Sequence, residues 1–290
     1  MMKESNMKGA KRMRVQVLIE NVVYSRNLVA EHGLSLLVQR TGMNDMQNDK
    51  LLIDTGQSGG FLRNAKSMGI EIRQIGKAVL SHGHYDHTGG VRALLEENKN
   101  VQVYARKGIL DKKYAIRRNG EVEEIGFDSG VYDVYKDNFI LIEGDTEIED
   151  GIFVITDTDM IYDNEFTTKG FLVEKGGEMI KDSFSDEVFV VVKEKDGINV
   201  ITGCSHTGIL NILETAGRRF AGSKIKSVVG GFHLRGMPEA EILELAQKMK
   251  EFEIGRICTC HCTGINEYAV LKSVLKSSLC YLATNYSIVV

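Results

Sequence analysis

Ser81-His82-Gly83-His84-Tyr85-Asp86-His87-Thr88-Gly89-Gly90 decides how this chain is read. It follows a short apolar run, Lys77 to Ser81, and precedes an amphipathic stretch from about Thr88 to Glu97 with Val91, Leu94 and Leu95 on one face. The motif therefore spans a strand-to-helix turn. His82 and His84 are two apart, so extended backbone points both to one side. Asp86 and His87 fall at the turn into the helix. Side chains in so tight a turn diverge, and one ion cannot comfortably take all four. Two neighbouring ions can, with His82 and His84 on one and Asp86 and His87 on the other. Imidazole and carboxylate suit Zn2+, and also Mn2+ or Fe2+. Three of the chain's seven histidines lie in this window, which a plain polar turn does not explain.

Working outward, residues 13–20, 34–39 and 50–53 read as strands, 59–68 as a helix, 77–81 and 101–105 as strands. Strands return at 152–156, 170–174, 188–193 and 198–202. Helices are then predicted at 208–220, 239–252 (with Pro238 at its first turn) and 265–278. Strands at 224–230, 256–260 and 285–290 alternate with them. Residues 108–150 are charged and contain four glycines. They read as a surface excursion, either lining a substrate mouth or forming a solvated loop pair. Each half begins with strands and passes into strand–helix alternation, which two packed sheets with helices outside would explain. No break in composition marks a linker, so 1–290 is read as a single domain.

The chain has 290 residues, a net charge of −4, one proline and no tryptophan. Those counts exclude collagen-like and Pro-rich readings. Mild acidity argues against an extensive nucleic-acid grip. No run of 18 apolar residues suggests a membrane span. The basic, polar stretch Met1 to Arg14 lacks the apolar centre of a signal peptide, so a cytoplasmic location is expected. Five cysteines, three of them in Cys258-Thr-Cys-His-Cys262, do not form a secreted disulfide framework. The sequence leaves the oligomeric state open.

His82-x-His84-x-Asp86-His87 resembles the signature of the metallo-β-lactamase fold superfamily, mostly binuclear metal hydrolases. Longer stretches are similar to one subgroup: Ala30-Glu-His-Gly-Leu-Ser35, Leu52-Ile-Asp-Thr-Gly-Gln-Ser58, Gly203-Cys-Ser-His-Thr-Gly-Ile209, Gly230-Gly-Phe-His-Leu234 and His261-Cys-Thr-Gly264. That subgroup takes its name from 7,8-dihydropterin-6-methyl-4-(β-D-ribofuranosyl)aminobenzene-5′-phosphate synthase. The resemblance implies an α/β fold, a four-layer αββα sandwich with the site at its edge.

The resemblance also implies a ligand set of His82, His84, Asp86, His87, His206 and His261 for two ions, with zinc the first choice. His206 and His261 each follow a predicted strand. Asp54 would hold the far ring nitrogen of a ligand histidine. A bridging aspartate, often preceded by glycine, is a superfamily habit; Gly203-Cys204 stands in something like that place. Cys204 is a possible thiolate ligand or a buried structural cysteine. Ile155-Thr-Asp-Thr-Asp159 offers no histidine, and the subgroup's Ile-Pro-Arg stretch is absent.

The expected activity is a metal-dependent hydrolase. A metal-bound hydroxide would attack a small anionic ester of the phosphoester, thioester or lactone class. Asp86 would orient the hydroxide as well as bind metal, and His233, or more weakly His32, would reach the leaving group. His233 has a ligand or structural role as its alternatives. One alternative function is the pterin-joining synthase reaction; another is a non-catalytic metal-binding sensor or interaction module.

Overall fold

The computed structural model describes residues 12–41 and 49–290. The basic stretch through residue 11 lies outside the described residues. Two seven-stranded sheets form the centre. The first contains β1 (Arg12–Ile19), β2 (Ser35–Thr41), β3 (Asp49–Ile53), β4 (Lys77–Val79), β5 (Gln102–Arg106), β8 (Phe139–Ile142) and β18 (Ser287–Val289). Its order is β18-β1-β2-β3-β4-β5-β8. The second contains β9 (Thr146–Glu149), β10 (Ile152–Ile155), β13 (Phe189–Glu194), β14 (Gly197–Ile201), β15 (Ile225–Gly230), β16 (Arg256–Thr259) and β17 (Leu279–Tyr281). Its order is β17-β16-β15-β14-β13-β10-β9.

Period-two alternation makes the layers. Val15, Val17, Leu36, Val38, Leu51 and Ile53 of the first sheet meet Val190, Val192, Ile201, Val229 and Cys258 of the second. Their neighbours one residue along point outward. Leu37, Leu52 and Ala78 pack on Phe61 and Ala65 of α1 (Gly60–Ser67) and Leu94 and Leu95 of α3 (Val91–Glu97). Phe189, Val191, Val200 and Val228 pack on α6 (Ile209–Arg219), α7 (Glu239–Glu251) and α8 (Ile265–Leu275) through Leu213, Ile242, Ala246 and Leu271. The central strands are thus apolar on both faces, and a buried aliphatic side chain contributes roughly 1.5–3 kcal/mol. The order helix, sheet, sheet, helix is the αββα sandwich.

The helix after the motif differs from its predicted span. It begins at Tyr85 as α2 (Tyr85–Thr88) and is interrupted at Gly89 and Gly90 before α3. The reason is close packing: a Cβ on Gly90 would lie 2.3 Å from the Thr55 carbonyl oxygen and 2.5 Å from that of Ser58.

Residues 108–150 hold regular structure rather than a loop pair. They supply α4 (Ser129–Tyr135), which packs on the first sheet through Val131, and the edge strands β8 and β9. They also supply β6 (Lys113–Ile116) and β7 (Val122–Glu124), which join β11 (Phe171–Lys175) and β12 (Glu178–Lys181) in a small sheet ordered β12-β11-β6-β7. The Tyr85 amide N–H donates to the Ile125 carbonyl at 2.9 Å, tying this small sheet to the histidine motif. A four-residue helix, α5 (Glu165–Thr168), precedes β11. Among the described residues, no helix is long and apolar enough to cross a membrane.

Candidate metal centre

Strands β3, β4, β5 and β8 run parallel, as do β14 to β17. The candidate residues follow the carboxyl ends of these strands, where side chains from several loops can converge. Asp54 follows β3, His82 to His87 follow β4, Cys204 and His206 follow β14, His233 follows β15 and His261 follows β16.

The structure brings the six predicted ligand residues together in two groups. In the first, the His82 ring lies 4.6 Å from that of His84 and 5.0 Å from that of His206, with 4.9 Å between His84 and His206. The Nε2 atoms of all three are buried and have no hydrogen-bond partner among the described residues. In the second, His87 Nε2 lies 3.2 Å from His261 Nε2, which is 3.3 Å from Asp86 Oδ2. Cys204 joins the groups. Its Sγ is 3.0 Å from His87 Nε2, and it clusters within 4.8 Å with His82 and His206 and, separately, with His87 and His261. It therefore occupies the position shared by both groups, where the superfamily often has an aspartate.

The far ring nitrogens are held. His87 Nδ1 meets Asp54 Oδ2 at 2.6 Å, His206 Nδ1 donates to the Thr167 carbonyl at 2.8 Å, and His261 Nδ1 meets Asn21 Oδ1 at 2.6 Å. Such partners fix the tautomer and direct Nε2 inward. Asp54 also accepts the Ser81 amide and hydroxyl, both at 2.7 Å. Gly203 is required here, since a Cβ would fall 2.1 Å from Ser81 Oγ. Asp54, Ser205, His233 and His261 all have positive φ, between 49° and 59°. Backbone strain in non-glycine residues concentrates where a site over-determines it.

Three further buried carboxylates brace the loops, and sequence reasoning missed them. Glu187 accepts the His206 and Thr207 amides and the Thr207 hydroxyl, each at 2.7 Å. Glu20 accepts the His261 amide at 3.1 Å and the Tyr281 hydroxyl at 2.9 Å. Asp186 accepts the Gly83 amide at 2.8 Å and pairs with buried Lys113 at 2.7 Å, as does Asp182. Glu20 follows β1 and the Asp186-Glu187 pair precedes β13. Each abuts an apolar strand, as Asp54 does, but the resemblance singled out Asp54 alone.

Burial first, then neighbouring His87, holds His82 well below the ordinary histidine range; burial does the same to His84 and His206. They stay neutral, the form that binds a cation. Burial opposes charge on His87 too, but Asp54 and Asp86 outweigh it and carry its pKa up to about 9. The field that favours a proton on that ring equally favours a metal cation at Nε2. Burial, then Cys262, pushes the Cys204 thiol up; a cation alongside would be needed to hold the thiolate. The protein's own charges around the centre are mainly acidic, so a positive field there would come from bound cations.

Those three unpartnered imidazole nitrogens are the test of fit. A buried polar group without a partner costs about 1–3 kcal/mol, and here three converge beside a second convergent set. The donors suit one or two divalent ions.

A cavity of about 190 Å³ opens over the centre, lined by Asp86, Cys204, His206 and His233 and, on the side of the small sheet, by Phe171 of β11 and by Ile125, which follows β7. His233 Nδ1 is buried without a hydrogen-bond partner among the described residues, its ring 4.2 Å from that of His206. His32 sits at the mouth with Nε2 3.2 Å from Asp86 Oδ2. Phe184 stacks on His206 at 3.9 Å. Cys262, not among the predicted residues, forms a third group with Cys204 and His233. All five cysteines are free.

The family model of the metallo-beta-lactamase superfamily matches residues 33–261. The chain belongs to the metallo-beta-lactamase superfamily. Within this superfamily it is 33% identical to Tm1679, whose crystal structure is described as that of a metal-dependent hydrolase of the beta-lactamase superfamily. The TM-score is 0.80, covering 95% of this chain and 98% of that one. It is 32% identical to the uncharacterised protein MJ0448 of Methanocaldococcus jannaschii, over 90% of this chain and 94% of that protein. It is also 27% identical to the 7,8-dihydropterin-6-methyl-4-(beta-D-ribofuranosyl)-aminobenzene-5'-phosphate synthase of the same organism, over 87% of this chain and 88% of the synthase.

Proposed function

We propose that this protein is a metal-dependent hydrolase of a small anionic ester, of phosphoester, thioester or lactone class. The observation that carries the reading is the convergence of the unpartnered Nε2 atoms of His82, His84 and His206 beside His87, His261, Asp86 and Cys204. The likeness to Tm1679 supports it. One divalent ion, zinc by choice of donors, would be held by His82, His84 and His206, a second by Asp86, His87 and His261, with Cys204 between. Such ions acidify a water and polarise the oxygen of the bond to be cleaved.

The chain's own residues do the rest. Asp54 keeps the proton of His87 on Nδ1, leaving Nε2 as a donor of its lone pair. Asp86, at the cavity floor, accepts a hydrogen bond from the attacking water and orients it. His233 presents Nδ1 within the cavity, where it hands a proton to the departing oxygen or sulfur. Phe171 and Phe184 wall the histidines off from bulk water, which strengthens each of these contacts.

Turnover of bis(p-nitrophenyl) phosphate and a thioester panel, before and after chelation, tests the reading. Activity lost on chelation and restored by Zn2+ is expected. Hydrolysis that survives complete metal removal would sink it. Because one relative is a synthase, mass spectrometry of a mixture of a dihydropterin and ribofuranosylaminobenzene phosphate is the second assay; a joined product would replace hydrolysis as the reaction.

A further inference from the structure

The cavity is small. A drug-sized ligand is enclosed by roughly 300–1,000 Å³, against about 190 Å³ here. It can hold the reacting end of a substrate but little more, and the remainder must pass the rim. One side of that rim is the β6–β7 hairpin. Arg117 closes this hairpin, its amide donating to the Glu121 carbonyl at 2.7 Å. Its side chain lines the cavity, is 43% exposed and is the one permanent cation among the lining residues. Tyr85, inside the histidine motif, also lines the cavity and acts electrostatically on Arg117. The guanidinium is otherwise occupied by Glu123 of the same hairpin, whose Oε2 lies 2.5 Å from Nε.

Glu123 is itself 58% exposed and sits outside the lining. An exposed pair of this kind contributes about 0–1 kcal/mol, so a ligand anion can take the guanidinium over. Arginine's fork fits carboxylate and phosphate oxygens two at a time. We infer that Arg117, with Tyr85, is the recognition point for a second anionic group of the substrate, a carboxylate or phosphate monoester remote from the bond that is cleaved. Glu123 holds the guanidinium until that group arrives. The inference rests on the hydrolase reading only in calling the ligand a substrate.

Two chromogenic esters of matched length separate the terms: 4-nitrophenyl butyrate, and the 4-nitrophenyl monoester of glutaric acid, which adds a terminal carboxylate. Zinc-loaded Arg117→Gln is expected to raise KM for the glutarate ester about 10- to 100-fold and leave that for the butyrate ester unchanged. Glu123→Gln is expected to lower KM for the glutarate ester alone. Opposite effects at two ends of one ion pair do not arise from misfolding. Equal changes on both esters, or both variants moving KM the same way, overturn the inference while leaving hydrolysis intact. If neither carboxylic ester turns over, the hydrolase reading stands on its own phosphoester and thioester assays, and calorimetry with free glutarate decides the subsite. Affinity lost in Arg117→Gln and gained in Glu123→Gln supports the subsite; affinity unmoved in both rejects it.

Discussion

Replacing Asp54 by asparagine changes one buried oxygen into an NH2 group at the point where both candidate metal groups are braced. The backbone should not object, because Asp54 has φ of 57° and asparagine tolerates the left-handed region. The chemistry should. Asparagine's oxygen can still accept the Ser81 amide, but its NH2 now faces His87 Nδ1 at 2.6 Å. Nδ1 must then accept, the ring proton moves to Nε2, and the nitrogen aimed at Cys204 and His261 has no lone pair to offer. Loss of such an orienting partner lowers metal affinity about 10- to 100-fold, or about 1.4–2.7 kcal/mol. In the chelated protein the same change reads out as pH-dependent stability. His87 is raised to about 9 against 6.5 unfolded, so its contribution is fully present below pH 6.5 and disappears as pH rises through 9. A rise of that size on a buried group corresponds to about 3 kcal/mol. Urea denaturation of chelated wild type should therefore lose more stability between pH 6 and pH 9.5 than Asp54→Asn loses, the excess being the share of that amount which Asp54, rather than Asp86, supplies. If the two proteins show parallel pH profiles and equal zinc content, the role given to Asp54 is wrong.

The other predictions concern the groups around it. His206→Ala and His261→Ala should each lower zinc content by elemental analysis; if neither does, the ligand set beyond residues 82–87 is mistaken. Cys204→Ala should lower zinc toward one ion per chain and Cys204→Asp should retain two, whereas equal content in both would make Cys204 a packing residue. Lys113→Met leaves Asp182 and Asp186 facing each other, both buried, without their shared cation. Breaking a buried pair in this way costs about 3–5 kcal/mol, measurable as a lowered urea midpoint; a midpoint near wild type would show the carboxylates find other partners.

The central strands of the two large sheets were legible because both of their faces are buried, whereas β8, β9 and β17, at the sheet edges, were not read. Val188 to Val192 is apolar without interruption, odd and even positions feeding separate cores. Residues 113–116 were not legible for the opposite reason. Lys113-Tyr-Ala-Ile looks half-charged and exposed, yet Lys113 is 1% exposed because Asp182 and Asp186 meet it from 69 and 73 residues away. No local pattern announces a partner at that distance. The metal residues stood out for chemical rather than conformational reasons, since His82 to His87 carry their donors within one turn. The carboxylates behind them are spread over Glu20, Asp54, Asp186 and Glu187, each of ordinary type in an ordinary neighbourhood.

This division has a physical basis that bears on Cys204. A ligand declares itself in sequence when its residue type is rare in solvated turns, and histidine is; a brace declares itself only through what it touches. Cys204 belongs to the first kind by chemistry and the second by appearance, since a buried cysteine is common as a small apolar residue. Its sequence reading stayed divided between thiolate and filler. The geometry weighs against filler: Sγ is 3.0 Å from His87 Nε2 and shared by both histidine groups, whereas a packing thiol gains nothing from imidazole nitrogens. A thiolate there would supply the negative charge that an aspartate brings elsewhere, while binding softer ions more tightly. The zinc content of Cys204→Asp set against Cys204→Ala thus separates the need for a charge from the need for sulfur.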